Sequence, residues 1–168
     1  TAGIILLFIL PPVASAVIGK EYKDSMDGDE NLEVLIIQPN IDPYNKFQAM
    51  TQAQQNGILL SMAEKKMKDR KNDSTAAPLL VIAPETFTGG VICGEYQRSQ
   101  TWNGFVNFLK SYPQVSMLFG ASTYDYIYSP DAPSYTARKV ADGMWVESHN
   151  SALMVDGSAE TQIFHKSK

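Results

Sequence analysis

Leu79-Leu80-Val81-Ile82-Ala83-Pro84-Glu85-Thr86 is the stretch that decides the fold. Five apolar residues stand together without a polar break, as in a strand buried on both faces. Pro84 then ends the pairing, because it has no N–H to give a ladder. A carboxylate, Glu85, follows at the mouth of the strand. A glutamate there has a rigid support, and apolar walls around it would raise its pKa toward the working range of a general base. The plain alternative is a strand-end glutamate facing water.

Upstream, Val34-Leu35-Ile36-Ile37 is a second continuous apolar strand, ended by Gln38-Pro39-Asn40. Asn45 is placed to cap a helix, with Gln48 three residues on completing a capping box. That helix is expected to run to about Lys71, burying Phe47, Met50, Ile58, Leu59 and Met62. Its last turns hold Lys65, Lys66, Lys68, Arg70 and Lys71, which suit the negative end of the helix dipole. Contact with anionic lipid is the sharper alternative. Downstream of Glu85 comes a loop with Gly89-Gly90. Ser99 then caps a second helix, whose core face is Trp102, Phe105, Val106 and Leu109. Residues 115–121 form a third buried strand, and residues 122–134 a loop rich in Tyr, Pro and Ser. Asp142-Gly143 and Asp156-Gly157 are two-residue hairpin signals. The first joins residues 135–140 to 144–148, the second 152–155 to 161–165. Helices alternating with apolar strands, then hairpins, predict a layered α/β domain with a mixed sheet.

The bulk numbers narrow the function. The 168 residues carry a net charge of −4, which argues against a nucleic-acid binder. The single cysteine, Cys93, allows no internal disulfide. His149 and His165 are far from it in sequence, so no metal-ligand spacing is present. With no glycine-rich phosphate loop either, no metal or cofactor is expected. Cys93 lies between apolar residues and suits packing. Residues 1–19 are uncharged, near the lower limit for a bilayer-spanning helix. They fit the tail of a transmembrane helix, with prolines tolerated in lipid, or a signal peptide ending in Ala14-Ser15-Ala16, or a buried soluble helix. Pro11-Pro12 counts against the third. Residues 20–32 are a polar, turn-rich linker.

Two further anchors stand beside Glu85. One is His149-Asn150-Ser151-Ala152-Leu153-Met154-Val155-Asp156-Gly157, the other Ile163-Phe164-His165-Lys166-Ser167-Lys168. In the second, alternation puts Phe164, Lys166 and Lys168 on one face and Ile163 and His165 on the other. Strand–Pro-Glu, then Asn-Ser-Ala with an Asp-Gly turn, then an aromatic-x-Lys, resembles the nitrilase superfamily of carbon–nitrogen hydrolases. Val34–Asn40 (VLIIQPN), Gly120-Ala121-Ser122 and the uncharged lead-in bring the likeness closer to the apolipoprotein N-acyltransferase family.

The resemblance implies an α-β-β-α layered sandwich. Residues 33–168 would be the N-terminal part of a nitrilase-like domain and residues 1–19 the end of a transmembrane helix. It implies the bacterial inner membrane, with the domain on the periplasmic side. The family works with a Glu-Lys-Cys triad. Glu85 falls on the base and Lys166 on the lysine that stabilises the oxyanion, with Lys168 as runner-up. The nucleophilic cysteine is expected beyond Lys168, and the 168 residues alone are expected to be inactive. The implied reaction moves an acyl chain from a phospholipid to the N-terminal cysteine amine of a diacylglyceryl-lipoprotein, through a thioester. The partners are those two substrates and the membrane, with no nucleic acid, metal or cofactor. Phe87, Val91 and Ile92, beside Glu85, would offer apolar surface to lipid. Asn150 is expected to fix its strand, and Glu95, Glu147 and Glu160 to be surface charges. A membrane-tethered amidase of the same superfamily and a non-catalytic envelope binding domain are the alternatives.

Overall fold

The computed structural model describes residues 9–19, 32–42, 44, 46 and 49–166. The chain divides into two compact units, Thr1–Asn31 and Leu32–Lys168. In the first, residues 9–19 are helical, through Pro11-Pro12, and all are exposed. Residues 1–8 and 20–31 lie outside the described residues. Among the described residues no helix is long and apolar enough to cross a membrane.

The second unit is an α/β structure built on one mixed sheet. Its elements are β1 (Glu33–Ile36), α1 (Gln52–Met67), β2 (Leu79–Ile82), β3 (Thr88–Ile92), α2 (Gln100–Leu109), β4 (Val115–Tyr128), β5 (Arg138–Ala141), β6 (Met144–Val155) and β7 (Thr161–His165). The strand order is β1-β2-β4-β6-β5, with β3 also against β4 and β7 also against β6. The β1–β2, β2–β4 and β3–β4 pairs are parallel. β4, β5 and β7 each pair antiparallel with β6. Both Asp-Gly turns fall where the sequence puts them, at the ends of β5 and β6.

β4 is the spine. Residues 122–128, expected as loop, continue the strand because they pair with residues 144–150 of β6. β6 is likewise one strand through His149-Asn150-Ser151, with no break between the two predicted pieces. On the other edge of β4, β2 pairs with residues 115–118 and β3 with residues 121–124. The two are halves of one line, and Gly89-Gly90 lies in strand rather than loop. The interruption is the Pro84-Glu85-Thr86 bulge. It is strapped to β4 by Ala83 N–H to Leu118 O (2.8 Å), Gly120 N–H to Pro84 O (3.1 Å) and Phe87 N–H to Gly120 O (2.8 Å).

The helices cover one face of this sheet. Leu59, Ala63 and Met67 of α1 and Phe105, Val106 and Leu109 of α2 share a core with Val81, Met117, Phe119, Leu153 and Val155. Phe105 meets Phe119 edge to face at 4.9 Å. Ser99 caps α2 as expected, accepting from the Trp102 N–H. α1 differs from its prediction. Thr51 is its cap, in a capping box with Gln54. Asn45, Phe47 and Gln48 lie outside the described residues. The buried face is turned toward Gln55, Asn56, Leu59, Ala63 and Met67, and Met62 is exposed. The polar pair is buried and hydrogen-bonded both within α1 and beyond it. Gln55 Nε2 donates to Lys46 O at 2.9 Å, and Asn56 Oδ1 accepts from Gln52 at 2.9 Å and Thr101 at 3.2 Å.

The opposite face is uncovered among the described residues. Parallel pairing aligns Val34 with Leu80 and Ile36 with Ile82, and Ile82 with Leu118. Val34 is 52% and Ile36 73% exposed, so β1 is not the buried strand its composition suggests. An apolar run needs cover on both faces, and here only one has it.

Gly120 is where the fold admits no alternative residue. A Cβ there would lie 2.4 Å from Thr86 N and 2.7 Å from Glu85 Cα. Backbone atoms, not a flexible side chain, occupy the space. Gly120→Ala is expected to destabilise by about 1–3 kcal/mol, the cost of overpacking. Gly89→Ala, where a Cβ meets nothing within 4 Å, is expected to stay near wild type. Chemical denaturation of both variants checks this. Equal midpoints would refute the crowding.

Candidate active site

Glu85 is carried on the crest of the bulge. The next residue, Thr86, has φ +49°, an unusual conformation for a β-branched residue. It is held from both sides. Lys46 Nζ donates to Thr86 O at 2.7 Å, and Phe87 is buried in the core, stacked on Phe105 at 5.9 Å. Phe87 and Val91 therefore belong to the helix-covered core. They do not offer the apolar surface beside Glu85 that the sequence suggests. The reason is a break in the two-residue period: the bulge at Glu85-Thr86 turns Glu85 away from the core face, and the strand resumes with Phe87 back on it.

Lys166 reaches Glu85 from the far end of the chain. Its backbone N–H donates to Asn150 O at 2.8 Å, continuing the β6–β7 ladder past His165. Its Nζ stands 3.3 Å from Glu85 Oε1. Phe164 and Lys166 share a face, as the alternation predicts, and both line a cavity of about 370 Å³ together with Glu85. Ile82, Leu118 and Ala152 supply its apolar floor. Lys168 lies outside the described residues. The two charged side chains are each 67% exposed, so water screens their attraction and the pair holds its geometry mainly through its supports.

Asn150 does more than the sequence suggests. Its Nδ2 donates to Glu85 Oε1 at 2.8 Å. It positions the carboxylate rather than only its own strand. The signal available was its place in β6, opposite Ser122 and two pairs from Gly120, the residue beneath the bulge. The hydrogen bond from Asn150 and then the Lys166 ammonium hold the Glu85 carboxyl below its ordinary pKa of 4.5. This corrects the expected upward shift. Apolar walls act on a carboxyl that they enclose, and Glu85 stands on the open side of its cavity.

The other carboxylates divide. Glu95 pairs with Arg98 at 2.7 Å. Glu147 is half-buried and accepts from Ser134 and from Thr136, so it is not a plain surface charge. Cys93 does not line the cavity that holds Glu85. It lies at the end of β3, with its N–H donating to Tyr124 O at 2.9 Å. There the fold corrects the sequence reading of scattered ligands: Cys93, Asp125 and His165 offer ligand atoms within 4.8 Å of one another.

Because the folded pKa of Glu85 is the lower one, its stabilising contribution is present above pH 4.5 and fades as pH falls through the folded value. Asn150→Ala removes the main cause of the depression. Its Glu85 is expected to titrate closer to 4.5 than in wild type, followed by carboxyl carbon NMR. An identical titration curve in both proteins would show that Asn150 does not hold the carboxylate. Compared with known proteins, the chain matches no family model, no curated protein and no solved structure.

Proposed function

We propose that this chain is the nitrilase-like part of a membrane N-acyltransferase, in which Glu85 is the general base and Lys166 the oxyanion-stabilising cation. The observation that carries the reading is their convergence. A carboxylate and an ammonium 81 residues apart in the chain meet at 3.3 Å on the lip of one apolar cavity. An ion pair serving stability alone has no need of a cavity, a bulge and an asparagine to hold it.

In this reading a cysteine beyond Lys168 provides the nucleophile. Its thiol proton passes to the Glu85 carboxylate as sulfur attacks the ester carbonyl of a phospholipid. The Lys166 ammonium faces the oxyanion of the tetrahedral intermediate. The C–O bond breaks, the leaving alcohol takes the proton from Glu85, and a lysophospholipid departs. The α-amine of the lipoprotein's lipidated cysteine then attacks the thioester. Glu85 accepts the amine proton, the C–S bond breaks and the thiol re-forms. Glu85 is ionised at neutral pH, the form that accepts a proton, and its lowered pKa makes it a weaker base than an unperturbed glutamate. The apolar floor suits an acyl chain better than a charged substrate.

The uncovered apolar face supports the finer layering too. An α-β-β-α sandwich lays a second sheet against such a face, and Val34, Ile36 and Phe164 are exposed apolar residues it would cover. The implied membrane attachment and periplasmic placement belong to the same proposal.

Glu85→Gln and Lys166→Ala in the parent protein test the assignment, with acyl transfer from phospholipid to a diacylglyceryl lipopeptide as the assay. Each is expected to lower kcat by about 100-fold or more, with the lipopeptide KM little changed. Full activity in either variant removes that residue from the mechanism. Hydrolysis of small amides in place of acyl transfer would instead identify an amidase of the same superfamily.

A further inference from the structure

The sheet carries a second group of reactive side chains, on the face opposite Glu85. Four strands of the sheet each contribute one: Cys93 just after β3, Asp125 from β4, His149 from β6 and His165 from β7. Their alternation places them with Thr123 and Ser151, on the helix-covered side, whereas Asn150 and Lys166 point the other way. A sulfur, a carboxylate oxygen and an imidazole nitrogen, from Cys93, Asp125 and His165, come within 4.8 Å of one another. We propose that Cys93, Asp125 and His165 form a binding site for a single divalent transition-metal ion of the zinc class, with His149 and Ser151 as its outer supports.

The donor set selects the ion. Thiolate, imidazole and carboxylate together suit zinc and its chemical neighbours, whereas calcium and magnesium take oxygen ligands. Zinc-type bonds put tetrahedral donors about 3.3–3.8 Å apart, so small rotamer adjustments bring these three into range. The supports are of the kind such sites use. His149 Nε2 lies 3.1 Å from Asp125 Oδ2, and its ring packs on that of His165 at 4.3 Å. Ser151 Oγ is 2.8 Å from His165 Nδ1 and 2.7 Å from Thr123 Oγ1, which fixes the imidazole orientation. Three protein ligands leave a fourth position for water.

Binding a divalent ion displaces the Cys93 thiol proton to solvent, and one thiolate and one carboxylate neutralise its charge. No electrons are transferred. The position gives the ion a purpose. His165 precedes Lys166, and Ser151 follows Asn150, so a metal here pins two strand positions whose sequence neighbours hold Glu85 on the other face. The site does not depend on the acyl-transfer reading, and its test does not use activity.

Cys93 is the only cysteine in the sequence, so thiol chemistry reports on it alone. The purified chain, stripped with a chelator, is titrated with cobalt(II) chloride and, separately, with zinc chloride. The expected result is one cobalt per chain, with a thiolate-to-cobalt charge-transfer band in the near ultraviolet. Zinc is expected to slow the reaction of Cys93 with an aromatic disulfide by about tenfold or more, and chelator to restore it. Cys93→Ser is expected to abolish the band, and Ser151→Ala to weaken cobalt binding by about 10–100-fold. A wild-type chain that gives no thiolate band, or whose Cys93 reacts equally fast with and without zinc, overturns the proposal. So does a cobalt complex that survives both Cys93→Ser and His165→Ala in proteins with a wild-type circular dichroism spectrum.

Discussion

The peptide joining Glu85 to Thr86 lies so close over Gly120 that no side chain fits between them. The close approach lets the line formed by β2 and β3 leave β4 for three residues and rejoin it, without losing the hydrogen bonds on either side. The excursion lifts a carboxylate clear of the sheet while Phe87, two residues on, anchors the chain in the core. A glutamate at this height on a flexible loop would sample many positions. Here both ends of the loop are ladder residues, and the strained Thr86 between them is held by Lys46. Strain of this kind persists only where the surroundings over-determine it.

The two faces of the sheet carry different groups of side chains. Odd-numbered positions of β4, from Met117 to Thr123, are fully buried under the helices, and even-numbered ones look onto the open side. The hydrogen-bond ladder links the faces mechanically. Asn150 and Ser151 are neighbours in β6, and His165 and Lys166 are neighbours across from them. Any constraint on the imidazole of His165 is therefore a constraint on the backbone that aims Lys166. The polar network of Thr123, Ser151 and His165 is a continuous chain of hydrogen bonds on one face, beneath an apolar cavity on the other.

What the sequence made legible was what local periodicity encodes. The apolar run at Leu79, the Ser99 cap, the α2 face and both Asp-Gly turns depend on residues within a few positions of each other. Alternation along β7 was enough to put Phe164 and Lys166 on one face. What it hid was decided at a distance. The extension of β4 past Ala121 depends on its pairing with β6, from Ser122↔Asn150 to Tyr128↔Met144, and Tyr- and Ser-rich composition masked that. Gly89-Gly90 falls inside β3 because Thr88 and Val91 on either side pair with β4, and the two glycines take up the register shift between them. The α1 face turned because Gln55 and Asn56 found hydrogen-bond partners in other elements, which no hydrophobic pattern reveals. Cys93, Asp125 and His165 are scattered along the second half of the chain, and only the strand order makes them neighbours.

The direction of the Glu85 shift follows from the same distinction. A carboxyl pKa rises when low-dielectric surroundings enclose it and falls when donors reach it first. Apolar neighbours in sequence suggested enclosure. In the fold those neighbours form a floor, and Glu85 stands at the rim with Asn150 and Lys166 as its hydrogen-bond partners. Water still reaches both charges, so their attraction is screened. Covering the open face would change the balance twice over. It would bury Val34, Ile36 and Phe164, and it would exclude water from the space between carboxylate and ammonium. The interaction would then strengthen just where an oxyanion needs a cation, while Asn150 would keep the carboxylate from collapsing onto Lys166. Exposed apolar surface and a water-screened charge pair are thus two aspects of one open layer, and a single covering element would resolve both.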